Sequence, residues 1–115
     1  MRVEADINPF QFFLGSPRAV VEIADRTVSV AGSDPHLARM QLSRRQPVEL
    51  DAEDCEPVSV RLRVFIRIRS RSHSWRRLTF RPREESVASC LTALAREGFP
   101  LDRRAKAIVG GAGFS

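Results

Sequence analysis

The groups best suited to chemistry in this chain are nine arginines gathered into residues 58–83, VSVRLRVFIRIRSRSHSWRRLTFRPR, a stretch without one acid. A guanidinium stays charged at any physiological pH and presents five donors in a planar fork that matches a carboxylate or a phosphate. The chemistry on offer is anion recognition. The stretch carries +9, while the other 10 basic and 14 acidic residues leave −4 elsewhere. Arginine outnumbers lysine 18 to 1. Coding bias in a genome puts Arg in place of Lys, but it does not gather positive charge in one place.

Other reactive side chains are sparse. His36 and His73 sit in polar loop contexts, and neither belongs to a nucleophile motif such as G-x-S-x-G. Cys55 and Cys90 have no metal-ligand spacing and suit a reducing compartment; Cys90 falls on the buried side of a helix. Glu49, Asp51, Glu53, Asp54 and Glu56 form an acidic run that lacks the spacing and glycine of a calcium loop. It reads as a solvated turn that partly offsets the neighbouring arginines. The GGAG near the C-terminus lacks the lysine of a phosphate loop and reads as part of a flexible tail, residues 103–115. Nothing here forms a catalytic or metal constellation, so no enzyme activity and no cofactor are expected.

The elements that must position the arginines follow from hydrophobic periodicity. Val58, Val60, Leu62, Val64, Ile66 and Ile68 alternate with Ser59, Arg61, Arg63, Phe65, Arg67 and Arg69. Side chains on a strand point to opposite faces in turn, so the pattern predicts one long strand with an aliphatic inner face and an arginine outer face. A turn around SRSHS leads to a second strand, WRRLTFRP, with Leu78 and Phe80 inward and Arg77, Thr79 and Arg81 outward. Upstream, residues 2–7 alternate as a short strand, with Val3, Ala5 and Ile7 on one side. NPFQFFLG reads as a turn or two of helix carrying Phe10, Phe13 and Leu14, a plug for the end of a β-fold. Residues 18–31 read as a hairpin turning at ADRT. Asp34–Pro35 starts a helical turn with Leu37 and Met40, or a strand, and Pro47–Leu50 reads as a short strand. Residues 83–97 read as an amphipathic helix, with Glu84 and Glu85 in its first turn, Val87, Cys90, Leu91 and Leu94 as its apolar stripe, Gly98 as its left-handed stop and Phe99 folded back.

This order of elements predicts an α+β fold, mostly antiparallel β: a partly closed barrel or sandwich of six to seven strands with one C-terminal helix. The pieces VVEIADRTVSVAG, PVELDAEDCEPVSV and LTFRPREESVASCLTALAREGF, in that order, resemble the bacterial pleckstrin-homology-like domains over residues 17–102. On that reading residues 1–16 form a separate N-terminal piece. The resemblance implies a non-enzymatic module that supports protein or membrane-associated assembly. The lipid-headgroup site of the eukaryotic members uses basic residues in the first strand loop; here that loop is ADRT, with Arg26 alone, and the charge lies on later strands.

The sequence therefore points to an adaptor whose basic sheet face docks on an acidic protein partner or an anionic membrane surface. Arg61, Arg63, Arg67, Arg69, Arg71, Arg77 and Arg81 would make the contacts, with Phe65 and Trp75 as exposed apolar anchors. A nucleic-acid-binding domain would use the same face, arginines on phosphates and aromatics on bases. The bland alternative is a solvated strand whose charges discourage edge-to-edge aggregation. No apolar run approaches the roughly 20 residues of a membrane span, and the N-terminus lacks the blocks of a signal peptide. A cytoplasmic location is expected, with or without attachment to a membrane surface, and an open edge strand could pair two copies.

Overall fold

The computed structural model describes residues 1–7, 18–31, 49–73 and 76–112. The expected helix with Phe10, Phe13 and Leu14, the segment with His36, Leu37 and Met40, the start of the strand at Pro47, and Trp75 all lie outside the described residues. Period-two alternation does produce strands: β1 (Arg2–Ile7), β2 (Arg18–Ala24), β3 (Thr27–Ala31), β4 (Glu49–Asp51), β5 (Ser59–Arg61), β6 (Phe65–Arg69) and β7 (Arg77–Pro82). They form one antiparallel sheet in the order β4-β3-β2-β1-β7-β6-β5. β1 is its centre, pairing with β2 on one side and β7 on the other. The first strand thus belongs to the body of the domain, and a boundary at residue 17 would cut the sheet in two.

Chain continuity forces this sheet to curl. Asp51 ends β4 at one edge, and Cys55, four residues later, bridges Ser70 at the end of β6 near the other edge. Five strand spacings in a flat sheet cover about 24 Å, whereas four extended residues reach about 14 Å. The two edges must therefore approach, and a 3-10 turn, Ala52–Asp54, makes the link. Backbone bonds from Glu56 N to Arg69 O and from Arg71 N to Asp54 O fasten it. The result is a sheet joined at one end and open elsewhere, an α+β fold of the partly closed kind expected. Its interior holds Val3, Ala5 and Ile7 of β1, Val21 and Ile23 of β2, Ile66 and Ile68 of β6, and Leu78 and Phe80 of β7.

The long strand expected over residues 58–69 is instead a hairpin. β5 and β6 pair Ser59 with Arg67, Val60 with Ile66 and Arg61 with Phe65, leaving Leu62, Arg63 and Val64 as the loop. A loop with an odd number of residues pairs positions of equal parity, so the alternation runs through the turn unbroken and hides it. Val60, Ile66 and Ile68 face the core, but Leu62 and Val64 do not: they are 79% and 41% exposed. Leu62 and Arg63 both take left-handed backbone, φ 53° and 62°, which costs a branched or bulky L-residue about 1 kcal/mol relative to Asn or Gly. The β2–β3 turn at Asp25 and Arg26 is also left-handed, and it falls where ADRT predicts it.

Helix α1 (Val87–Arg96) covers the sheet with Cys90, Leu91 and Leu94, as its apolar stripe requires. It starts later than expected. Ser86 is the N-cap, its hydroxyl accepting from Ser89 N at 3.0 Å, so Glu84 and Glu85 precede the helix. Gly98, at φ 92°, stops it, and Phe99 folds back with its N–H on Leu94 O. A second helix, α2 (Arg103–Ala112), replaces the flexible tail expected there. Asp102 caps it by accepting from Ala105 N at 2.8 Å, Ala105 is fully buried, and Ile108 and Val109 pack against the core. The segment before it pairs with the sheet edge through Val58 N to Pro100 O and Asp102 N to Val58 O.

Two expected outcomes test this packing. Ile66→Ala should lower unfolding free energy by about 2–5 kcal/mol in urea titration. Gly98→Ala, whose added Cβ would meet Arg26 and Ala52 at ordinary contact distances of 3.6–3.9 Å, should cost about 1–2 kcal/mol, all of it from the left-handed backbone.

Candidate functional site

The outer face of β5, β6 and β7 carries the arginines in registered rows. Arg67 stands between Ser59 on β5 and Thr79 on β7; Arg69 stands directly opposite Arg77. Two like charges facing each other across a ladder repel. Arg67 and Arg69 are half-buried, Arg61 and Arg77 exposed. Burial, then the positive fields of Arg69, Arg61 and Arg77, pull the Arg67 guanidinium below the ordinary arginine value, against a small opposing pull from Glu56. Among the described residues, the Nε–H groups of Arg67 and Arg69 are buried with no hydrogen-bond acceptor. Glu56 Oε2 lies 3.8 Å from Arg69 Nε, close enough to attract and too far to bond.

The other expected contacts are distributed differently. Arg81 is already occupied: its Nη2 donates to Asp6 Oδ2 at 2.7 Å, and Arg83 lies 3.7 Å from the other oxygen of the same buried carboxylate. Asp6 is the register partner of Arg81 on β1, so a sheet position that reads as free basic surface is internally neutralised. Arg63 belongs to the β5–β6 turn, away from the rows. Arg71 follows the far end of β6, with Nη2 3.4 Å from Cys55 O. Phe65 keeps to the arginine side, opposite Arg61, but is only 9% exposed. It is a packed ring and not the exposed anchor expected. Trp75 lies outside the described residues. The structure thus brings together Arg61, Arg67, Arg69 and Arg77; among the described residues no carboxylate lies within ion-pair distance of Arg61, Arg67 or Arg77.

The acidic run offsets these charges little: among the described residues only Glu56 approaches them, while Asp51, Glu53 and Asp54 are engaged elsewhere. Glu53 pairs with Arg26 at 3.4 Å, and Glu97 accepts from Arg26 N at 3.0 Å. The one basic residue of the first strand loop is therefore held by carboxylates of its own fold. Asp54 accepts from Ser70 Oγ at 2.8 Å, Ser72 Oγ at 2.5 Å and Ser72 N at 3.2 Å. This cluster escaped sequence reasoning, since Asp54 and the SRSHS turn are separated in the chain and meet only when the sheet curls. Ser72 Oγ also lies 2.8 Å from His73 Nδ1. An Asp–Ser–His chain of this order is no nucleophile triad: the serine has one proton and directs it at the carboxylate, so the imidazole acts as donor to the hydroxyl.

Both thiols are free and buried. Burial, then the negative fields of Asp54 and Asp51, push Cys55 up to about 11 against Arg71; burial, then Glu85, pushes Cys90 to about 12. Among the described residues no group of three or more His, Cys, Asp or Glu side chains is placed to hold a metal ion, and no helix is long and apolar enough to cross a membrane. Comparison of the chain with protein-family models, curated proteins and solved structures finds no match.

The Asp54 clasp has a pH signature. Hydrogen bonds from Ser72, then Ser70, hold its carboxyl below the ordinary 3.8, with burial opposing and the Ser72 N–H and His73 adding. A carboxyl depressed on folding stabilises the protein above its unfolded value and loses that contribution as pH falls through the folded one. Asp54→Ala should therefore be less stable than wild type by a constant margin at pH 5–7, and the margin should shrink below about pH 4 in parallel thermal melts.

Proposed function

We propose that this domain is a non-enzymatic adaptor that docks the arginine cluster of β5, β6 and β7 onto an acidic protein partner. The observation that carries the reading is the gathering of Arg61, Arg67, Arg69 and Arg77 on registered strands, where among the described residues only Glu56, 3.8 Å from Arg69, comes near enough to offset them. Such a cluster gains from carboxylates that supply both acceptors and counter-charge, through two-pronged bonds roughly twice as strong as neutral ones. Half-buried guanidiniums on a rigid ladder favour a partner whose acids project towards them. Resemblance to bacterial pleckstrin-homology-like domains supports the same class of module, as do a curled antiparallel sheet and a covering helix. The second helix and the engaged Arg26 set this chain apart from a headgroup-binding member. The thiols held neutral and the serine directed at Asp54 favour a binding role over catalysis.

The test uses an oligoglutamate peptide as a probe of the acidic class, with heparin and single-stranded DNA as competitors. Arg67→Gln/Arg69→Gln should weaken peptide binding by roughly tenfold or more. Arg96→Gln/Arg103→Gln, which removes the same charge away from the cluster, should change it by less than about twofold, as exposed charges elsewhere act only through a screened field. Equal losses in the two variants would reject a specific face. Tighter binding to DNA than to the peptide, with a steep salt dependence, would assign the face to nucleic acid instead.

A further inference from the structure

The tip of the β5–β6 hairpin breaks the rules that the rest of the sheet obeys. Two-residue left-handed corners favour Asn and Gly; this one holds Leu62 and Arg63 at φ 53° and 62°. Leu62 is 79% exposed and Val64, beside it, 41%. A large apolar side chain held in water on unfavourable backbone does nothing for folding, and such local conflicts mark functional positions. The chemistry around the tip is uniform. Arg61 and Arg63 flank Leu62 in the chain, and Arg104 at the start of α2 lines the same cleft as Leu62 and Arg63, floored by Val60, Ala107 and Ile108. Residues 57–83 supply no acid to this end.

We infer that this tip is an insertion point for an anionic membrane surface. Leu62, with Val64 behind it, enters the boundary between headgroups and acyl chains, and Arg61, Arg63 and Arg104 lie at headgroup level. An exposed apolar side chain flanked by cations is complementary to a bilayer interface, where apolar burial and attraction to anionic lipid add. The inference goes beyond the adaptor reading. It uses the turn, at the end of β6 opposite Arg69 and Arg77, shares only Arg61 with the rows, and would give the domain two attachments: the tip for a membrane and the arginine rows for a protein.

Cosedimentation of the full chain with phosphatidylcholine vesicles, with and without phosphatidylserine, tests it. Wild type should bind the anionic vesicles at least about fivefold more tightly than the neutral ones, in line with three basic groups at the surface. Leu62→Asn changes no charge and suits the left-handed turn. It should melt at or above the wild-type temperature yet bind anionic vesicles about fivefold to tenfold more weakly. Leu62→Met should retain binding, and Leu62→Asn should leave oligoglutamate binding within about twofold, so that failure here is distinguishable from failure of the adaptor reading. Equal binding of wild type and Leu62→Asn, equal binding to both vesicle types, or loss of vesicle binding in Leu62→Met would overturn the inference.

Discussion

Four residues join one edge of this sheet to the end of the strand next to its other edge, and the architecture depends on that short span. The 3-10 turn Ala52–Asp54 brings β4 to β6, so the sheet cannot lie flat. Curling encloses the aliphatic positions of β1, β2, β6 and β7 and leaves the guanidiniums of β5–β7 outside. The joint is held by backbone bonds, by Asp51 capping the 3-10 turn, and by Asp54, which gathers two serine hydroxyls and an amide from the turn after β6. Burying apolar surface on one side and clasping one end are cooperative: neither is available to the isolated hairpins, which are marginal in water.

The same joint decides where negative charge goes. In the chain, five acids stand just before the basic stretch and look ready to neutralise it. In the fold, Asp54 is turned to the serines, Glu53 to Arg26, and only Glu56 approaches the rows, at 3.8 Å from Arg69. Asp6, in mid-sheet, serves Arg81 and Arg83. Arg81 is neutralised and Arg77, on the same strand, is not, because Asp6 of β1 falls opposite Arg81. Specific placement of a few carboxylates, and not net charge, turns a basic stretch into a defined cluster.

Much of the fold was legible because it follows local periodicity: β1, the β2–β3 hairpin, the inward Leu78 and Phe80, and the apolar stripe and glycine stop of α1. The misreadings have identifiable causes. A three-residue loop preserves even–odd parity, so the β5–β6 turn left no break in the pattern, and its corner residues are not turn formers. Gly110 and Gly111 masked α2, although Asp102 as a cap and Ala105, Ile108 and Val109 at helical spacing were readable. Within the candidate site the shared face of Arg61, Arg67 and Arg69 was legible from alternation, whereas Arg63, read as part of that face, belongs to the turn. The engagement of Arg81 by Asp6 and the Asp54 clasp were not, because strand order and curl determine them. Phe65 shows the limit of a one-strand argument: its face was right, but the ring is buried on that face.

Arg67 and its neighbours repel one another within the fold, and among the described residues only Glu56 comes near enough to offset them. The most direct measurement is urea unfolding of wild type and Arg67→Gln across a range of sodium chloride concentrations. Uncompensated repulsion predicts that Arg67→Gln is the more stable protein at low salt and that the difference fades as salt screens the cluster. A variant less stable than wild type at low salt, with a gap that salt narrows, would mean that the guanidinium is held by favourable charges of its own molecule, and would contradict the account.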